Sequence, residues 1–426
     1  MRHKPLSNHR ILKGLLWAFL FLLLFEGALR KWVLPSLATP LLIARDPITV
    51  LIYVIALQSR RFPSRNNFIA GATILGILSF LFSLFSDQSN LWVTLYGIRI
   101  NYLYIPLIFI IPKILDKADV EQMGKFLVYC SFGMTVIVAL QFISPQTAWI
   151  NKKVGGISAL GITGAEGRFR PEGTFSFITG IAAFYPLVTV FLFNSLISKK
   201  IPILIVAGSG AATLIAITFS MSRLNAISCG LVALTGIFAL TRSGIRLTLV
   251  TRVIGIAVLL AVLIPFTPFL DKGVSAFSRR WEISTGEGVQ GFKENIADRY
   301  TDEIINPILN ISQAPFLGEG IGTGSNVGAQ ILTGKRDFLL GEGEWLKIIM
   351  ELGIPLGLAY IALRIGLTWH LFKISLRSMK HKNMLPLLLF SATAPLMLNG
   401  QWGPPTILGF SILDAGLLLA ATRTES

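Results

Sequence analysis

The chain has 426 residues, of which 53% are hydrophobic and only 14% are charged. Soluble domains carry roughly 25% charged residues, and the mean hydropathy here is +0.67, so the composition excludes a soluble globular protein. The formal net charge of +16 does not indicate nucleic-acid binding, because basic residues of membrane proteins usually mark cytoplasmic loops. The composition therefore predicts a polytopic membrane protein with a single integral membrane domain over residues 1–426.

The N-terminal segment resembles a signal peptide, since basic residues precede an apolar run from Gly14 to Phe25. No small-residue cleavage site precedes the polar stretch 26–31, so the sequence predicts an uncleaved first span. The two cysteines, Cys130 and Cys229, both lie in apolar segments. Neither a disulfide framework nor a C-x-x-C metal site is therefore expected.

Twelve apolar stretches have about the length that a membrane-spanning helix needs, which is about 20 residues. They predict an all-α bundle of about twelve transmembrane helices. The stretches are 12–29, 40–57, 68–86, 91–111, 123–143, 176–197, 201–219, 224–241, 251–270, 345–368, 384–399 and 404–421.

The orientation follows from the distribution of lysine and arginine, which favour the cytoplasmic side. With the N-terminus inside, every predicted inner segment is basic, including 58–66, 112–122, 242–250 and 369–383. An even number of spans returns the C-terminus to the cytoplasm. Two long segments, 144–175 and 271–343, are then extracytoplasmic, and the second is a large loop between helices 9 and 10.

Both long outer segments contain many basic residues, contrary to the charge rule. Long loops are partly exempt from that rule, so one interpretation is a solvated loop that the rule tolerates. The other is a site for an anionic ligand outside the membrane, because arginine offers bidentate geometry to phosphate.

Histidine placement limits the chemistry of the outer side. All four histidines, at positions 3, 9, 370 and 381, fall on the predicted cytoplasmic side. No imidazole is then available outside as a metal ligand or general base, so a zinc site there is not expected. A proton acceptor on that side would have to be a carboxylate or a less usual group.

The run Gly318–Gly324 alternates glycine with other residues but lacks the spacing of a dinucleotide-binding loop. Two interpretations remain open for it: a glycine-rich turn whose N–H groups cradle an anion, or a flexible re-entry loop. Five charged residues lie in apolar segments, where charges are costly and often functional: Glu26, Arg45, Asp46, Arg99 and Asp414. Arg45 and Asp46 lie near a helix end, so we expect them at the interface, and Arg99 is a candidate for a cavity-facing residue.

Four motifs lie in or beside the predicted outer segments. Residues 168–175 read Arg-Phe-Arg-Pro-Glu-Gly-Thr-Phe, and residues 219–223 read Phe-Ser-Met-Ser-Arg. After Arg299-Tyr300, residues 314–322 read Ala-Pro-Phe-Leu-Gly-Glu-Gly-Ile-Gly. Residues 342–354, from Glu-Gly-Glu-Trp-Leu to Glu-Leu-Gly-Ile, open the tenth span. In combination, over roughly residues 90–370, these motifs resemble those of bacterial O-antigen ligases and polymerases.

The resemblance implies a GT-C-like membrane glycosyltransferase in the bacterial cytoplasmic membrane, with its active site on the outer face. Such an enzyme takes glycan from an undecaprenyl-pyrophosphate carrier and passes it to a saccharide or lipid acceptor, with no metal and no other cofactor. Membrane lipids and polysaccharide assembly proteins are the further expected partners, and nucleic acid is not one.

The resemblance also implies roles for individual residues. The pyrophosphate is expected at Arg168, Arg170, Arg223, Arg280 and Arg299, and catalytic roles are expected for Arg223, Arg299 and Glu342. Glu342 stands where the family usually has histidine, which leaves polymerase and ligase activity both open. Glu344 is explained by helix capping, because acidic groups are favoured in a first turn.

Two other classes of protein remain as alternatives. Twelve spans also suit a secondary transporter, although no internal repeat is visible and transporters of this size often have two similar halves. The third hypothesis is a non-catalytic partner in polysaccharide export that retains only the scaffold.

Overall fold

The computed structural model describes residues 5–86, 90–155, 169–243, 268–285, 305–309, 311, 314–334, 340 and 343–423. These residues form helices joined by turns, with no β-sheet among them. The α-helices in chain order are α1 (Pro5–Ala28), α2 (Ala38–Leu41), α3 (Arg45–Gln58), α4 (Asn67–Ser83), α5 (Leu91–Ile98), α6 (Ile105–Ile114), α7 (Lys117–Ile143), α8 (Thr179–Ser198), α9 (Ile203–Ser220), α10 (Arg223–Arg242), α11 (Pro268–Thr285), α12 (Asn306–Leu309), α13 (Asn326–Thr333), α14 (Glu344–Lys380), α15 (Leu385–Asn399) and α16 (Pro405–Ala420).

In the described part of the chain, eight helical stretches are long and apolar enough to cross a membrane, and three shorter apolar helices accompany them. A polytopic, all-helical membrane protein is therefore confirmed. These helices coincide with eleven of the twelve predicted spans. The ninth, 251–270, falls almost entirely outside the described residues, so the number of spans stays a prediction.

Polar side chains fix several helix starts. Asn66 accepts hydrogen bonds from the amides of Phe68 and Ile69 at the start of α4, and Asn90 caps α5 in the same way. Asp116 and Asp119 form a reciprocal capping box at the start of α7. Such caps satisfy amides that have no partner within the helix.

Helix α16 lies at the centre of the bundle, where it packs against α6, α8 and α15. Every residue from Ile407 to Ala420 is buried, as expected for a helix that is apolar on all sides. Helices α15 and α16 are short, with 15 and 16 residues. The turn that joins them includes Trp402, whose side chain is fully buried.

Helix α14 is broken at Gly353, where φ is +74° and ψ is 175°. The part before the break folds back on the part after it, since a Cβ added to Gly357 would lie only 3.0 Å from Cα of Ile349. The predicted tenth span is therefore a short helix, 344–352, followed by a long one, 354–380. This helical hairpin brings the start of α14 down beside the α15–α16 turn.

Candidate functional site: a buried layer of charged residues

Charged side chains gather at the helix ends that the predicted topology assigns to the outer side. We call this group the charged layer. Its members come from α1 and α3, from the segments that follow α1, α5 and α7, and from both parts of α14: Glu26, Arg30, Lys31, Arg45, Asp46, Arg99, Lys153, Glu172, Glu344, Lys347, Glu351 and Arg364.

The segment 169–175 packs between the C-terminal ends of α1 and α7. Gln141 of α7 accepts hydrogen bonds at Oε1 from the amides of Glu172 (3.1 Å) and Gly173 (2.8 Å). The hydroxyl of Thr174 donates to a backbone carbonyl of α1 over 2.6 Å. Every residue from 171 to 175 is buried. This part of the predicted outer segment is therefore packed into the bundle, and the solvated-loop interpretation is wrong for it.

Lys31 joins this segment to the end of α1. Its Nζ lies 3.6 Å from Oε2 of Glu172 and donates to the carbonyls of Gly173 (2.9 Å) and Phe175 (2.6 Å). Lys153 contacts the same carboxylate. One buried carboxylate is thus bound by two cations.

Glu26 occupies the middle of a second cluster, between Arg30 at 3.3 Å and Arg45 at 3.1 Å. Arg30 also donates to the hydroxyl of Ser176 over 3.2 Å, and Arg45 donates to the carbonyl of Pro405 over 2.6 Å. The cluster therefore connects α1 and α3 with the segment before α8 and with the start of α16.

Arg45 is only 3% exposed, and its expected position at the membrane interface stays a prediction. It is buried because Glu26, 19 residues earlier in the chain, supplies the compensating charge from a neighbouring helix. Gly409 leaves room for the guanidinium group, since a Cβ there would lie 2.0 Å from Nη1. That Nη1 has no hydrogen-bond partner among the described residues.

Asp46 forms an ion pair with Arg99, for which the sequence analysis identified no partner. Nε and Nη2 of Arg99 lie 2.5 and 3.0 Å from the two carboxylate oxygens, and the hydroxyl of Tyr104 donates to the same carboxylate. Nη1 of Arg99 has no hydrogen-bond partner among the described residues. Two guanidinium groups of the layer, at Arg45 and Arg99, thus each retain one buried donor.

Two π-helical turns in the described part of the chain carry cations of the layer. Leu29–Val33 positions Arg30 and Lys31, and Arg99–Leu103 begins with Arg99. π-Helical turns are rare and occur frequently at functional sites.

Glu344 forms the centre of a third cluster, at the start of α14. Its carboxylate accepts hydrogen bonds from Nζ of Lys347 (2.6 Å), Nη1 of Arg364 (3.0 Å) and the amide of Trp402 (3.3 Å). The guanidinium group of Arg364 lies over the Trp402 ring, 4.2 Å from its centroid, and donates to the carbonyl of Gly400 over 2.8 Å. Glu344 lies in the first turn as expected, but its carboxylate is part of a buried ion-pair network, so helix capping alone does not explain it.

The glycine-rich run is a buried turn that binds the carboxylate of Glu351. The amide of Gly324 donates to Oε1 of Glu351 over 2.8 Å. The amides of Glu319 and Gly320 donate hydrogen bonds to the carbonyls of Met350 and Glu351, respectively. The amide of Ile321 donates to the hydroxyl of Ser83. These amides are occupied by groups of the protein itself. The interpretation as a flexible re-entry loop is therefore wrong for this turn, and the anion that its N–H group binds is a carboxylate of the protein itself.

Close backbone contacts explain the glycines of the turn. Gly322 has φ of +94°, and a Cβ there would lie 2.4 Å from the carbonyl oxygen of Val93. On the facing helix, a Cβ on Gly97 would lie 2.6 Å from the amide nitrogen of Gly322. Any side chain at either position would push the turn away from α5.

Two of the predicted site residues are described with their side chains. Arg170 and Arg223 are both half-buried. Arg170 precedes the segment that Gln141 binds, and Arg223 begins α10 four residues after Phe219, which stacks on Phe142 at 4.8 Å. Both arginines therefore lie near the C-terminal end of α7. Arg168, Arg299 and Glu342 lie outside the described residues, and Arg280 belongs to α11 without a described side chain.

Sequence reasoning missed the pairing within the charged layer. The sequence had identified Glu26, Arg45, Asp46, Arg99 and Glu344 as charges worth attention, and Lys153 as a basic residue of the outer segment 144–175, but most of their partners come from distant parts of the chain. Lys347 and Arg364 gave no signal, because both lie inside the predicted tenth span. Cations outnumber carboxylates in the layer.

The described residues contain no group of three or more metal-ligating side chains.

No protein-family model and no curated protein matches this chain. The fold and the composition define a polytopic membrane protein.

Proposed function

We propose that the protein is a bacterial membrane glycosyltransferase of the O-antigen ligase and polymerase type. It transfers glycan from an undecaprenyl-pyrophosphate carrier to a saccharide or lipid acceptor at the outer face of the cytoplasmic membrane. The observation that supports this most is the placement of Arg170 and Arg223 near the C-terminal end of α7, beside a charged layer in which cations exceed carboxylates. An excess of buried cations suits a ligand with two phosphates, because arginine binds phosphate through bidentate hydrogen bonds.

The arginines are proposed to bind the pyrophosphate, which carries the negative charge that the reaction releases. Arg168, Arg170 and Arg280 bind the substrate, and Arg223 and Arg299 stabilise the leaving group. Arg223 begins the 20-residue helix α10, whose N-terminus itself favours anions. Stabilisation of developing charge in a preorganised site is usually the largest catalytic contribution.

Glu342 is proposed as the general base, one residue before the N-cap of α14. It accepts the proton of the acceptor hydroxyl while that oxygen attacks the anomeric carbon of the carrier-linked sugar. The bond between the sugar and the pyrophosphate breaks, and undecaprenyl pyrophosphate leaves with the bonding electron pair. Removal of a general base typically costs 10²–10⁴-fold in rate.

The test is transfer by the purified protein in liposomes that contain a defined undecaprenyl-pyrophosphate glycan. We expect glycan to leave the carrier and free undecaprenyl pyrophosphate to appear. A lengthened carrier-linked glycan identifies a polymerase, and glycan on a lipid acceptor identifies a ligase. Glu342→Gln should lower the rate by about 10²–10⁴-fold, whereas Glu121→Gln at the opposite membrane face should leave it unchanged. Full activity of Glu342→Gln would disprove the base assignment, and absence of transfer to either acceptor class would disprove the function.

One observation favours a secondary transporter as the second candidate. The carboxylate of Asp414 in α16 is fully buried, and neither oxygen has a hydrogen-bond partner among the described residues. Buried carboxyl groups within membrane spans occur in proton-coupled transporters. Asp414→Asn separates the two proposals: a glycosyltransferase should retain transfer, whereas a proton-coupled transporter should lose pH-driven uptake. A transferase-active protein that is inactivated by Asp414→Asn while remaining folded would assign Asp414 to the transfer reaction instead.

A further inference from the structure

A cavity of about 520 Å³ opens at the opposite end of the bundle from the charged layer. It lies where α4 begins and where α6 and α16 end. The predicted topology places these helix ends on the cytoplasmic side. Because three apolar helices begin or end around it, the cavity lies at the level where lipid headgroups meet the hydrocarbon.

The polar part of the lining is basic. Arg65, Lys113 and Arg423 line the cavity, and none of the lining residues that the structure describes carries a carboxylate. Among the residues that the structure describes, neither Arg65 nor Lys113 has an ion-pair or side-chain hydrogen-bond partner, and the guanidinium group of Arg423 donates to the carbonyl of Pro112. Three cations without a compensating carboxylate create a positive potential that favours an anion.

The apolar part of the lining comes from Pro63, Phe109, Pro112 and Leu419, and Asn66 and Thr422 add uncharged polar groups. Phe109 stacks on Phe68 of α4, with ring centroids 5.8 Å apart, so this wall continues into the apolar surface between α4 and α6. A small soluble anion would gain nothing from such a wall. A phospholipid would place its phosphate among the cations and the upper part of its acyl chains against the apolar residues.

We propose that this cavity binds the headgroup of an anionic phospholipid from the same leaflet. Basic pockets between transmembrane helices on the cytoplasmic side are suited to such headgroups. The bound lipid joins the start of α4 to the ends of α6 and α16, and α16 is the central helix of the bundle. The lipid thereby fixes the base of the helix that carries the α15–α16 turn at its other end.

The test compares lipid retention by native mass spectrometry, with phosphatidylglycerol and phosphatidylcholine offered in equal amounts to the detergent-solubilised protein. The wild type should retain phosphatidylglycerol preferentially. The triple variant Arg65→Gln, Lys113→Gln, Arg423→Gln should lose that preference by at least about tenfold, since each cation near a membrane surface contributes severalfold in affinity. All three side chains are exposed, so the variant is expected to fold.

A matched triple variant, Lys373→Gln, Arg377→Gln, Lys380→Gln, removes the same charge from exposed positions at the end of α14. It should retain the wild-type preference. Equal retention of phosphatidylglycerol by both triple variants would overturn the proposal. So would complete displacement of the lipid by millimolar inorganic phosphate, because the cavity would then be a site for a soluble anion.

Discussion

Arg364 and Glu344 are 20 residues apart in one helical stretch, yet their side chains form a hydrogen bond of 3.0 Å. A straight α-helix would separate their backbones by about 30 Å. The contact exists because α14 turns back on itself at Gly353. The ion pair therefore holds the two arms of a helical hairpin together inside the bundle.

Breaking this pair should strongly destabilise the protein. Arg364→Met leaves the carboxylates of Glu344 and Glu351 to share the single cation Lys347, and removal of one partner of a buried ion pair typically costs about 3–5 kcal/mol. The double variant Glu344→Gln, Arg364→Met should regain at least half of that loss, because Lys347 then faces Glu351 alone. Thermal unfolding in detergent measures both variants.

The pair Glu121–Lys200 is the matched control, since the side chain of Lys200 is 60% exposed. Glu121→Gln should change the free energy of unfolding by no more than about 1 kcal/mol. If Arg364→Met lowered the free energy of unfolding by no more than Glu121→Gln does, the hairpin would not depend on its ion pair.

Gly322→Ala should destabilise the protein by roughly 2–5 kcal/mol. The residue has φ of +94°, and its Cβ would lie 2.4 Å from the carbonyl oxygen of Val93, so backbone strain adds to overpacking. Gly133→Ala is the control, because a Cβ there meets nothing within 4 Å and alanine favours the helix. The thermal stabilities of the two variants in detergent give the comparison. Equal stability would indicate that the turn can move away from α5 at no cost.

The sequence predicted the positions of the helices well and their breaks poorly. Apolar runs determine where a helix spans the membrane, so most spans were predicted to within a few residues. The break at Gly353 was missed because residues 345–368 form one apolar run, although Gly353 followed closely by Pro355 was a signal for it. The buried ion pairs were missed for another reason. Glu26–Arg45 and Asp46–Arg99 join different helices, and sequence spacing carries no information on such pairs.

The glycine-rich turn illustrates the same limit. Its composition indicated free N–H groups that could bind an anion, and an anion does lie there. That anion is the carboxylate of Glu351 in α14. Only the hairpin of α14 brings this carboxylate to the turn, and the hairpin itself was not predicted.

The predicted topology is tested by cysteine labelling in intact cells. In a Cys130→Ala, Cys229→Ala background, Ser275→Cys and Asn326→Cys should react with an impermeant reagent, and Lys373→Cys should not. All three positions are exposed in the structure. Ser325 is unsuitable for labelling, since it is buried and caps α13. Labelling of Lys373→Cys together with protection of the other two would invert the orientation and move the charged layer to the cytoplasmic side.

Arg170→Ala and Arg223→Ala should each lower glycan transfer about a hundredfold, because loss of one charge-assisted contact to the leaving group costs on the order of 3 kcal/mol. Arg299→Ala is expected to lower glycan transfer to the same extent. Lysine at these positions should rescue activity only partly, since it lacks the bidentate guanidinium group. The rates are measured in liposomes with the carrier-linked glycan.

Lys272→Ala removes a cation from an exposed position on the same predicted side and is the control for the arginine variants. It should retain transfer within about twofold of the wild type. If Arg170→Ala and Arg223→Ala also retained full activity, their proposed role in binding pyrophosphate would be wrong.

The short α15 and α16 also determine how deep a bound charge sits in the electric field of the membrane. At 1.5 Å per residue they are about 22–24 Å long, against a hydrocarbon thickness of about 30 Å. In the predicted topology α15 starts and α16 ends at the inner surface, so their connecting turn lies roughly a quarter of that thickness below the outer surface. An anion that reaches the turn from outside therefore moves against part of a negative-inside potential. Full crossing costs about 2.3 kcal/mol per charge at 100 mV, so this depth costs about 0.6 kcal/mol per charge. A carrier pyrophosphate that reaches the depth of this turn should thus bind several-fold more weakly when the membrane of a proteoliposome is energised, and collapse of the potential should restore its binding.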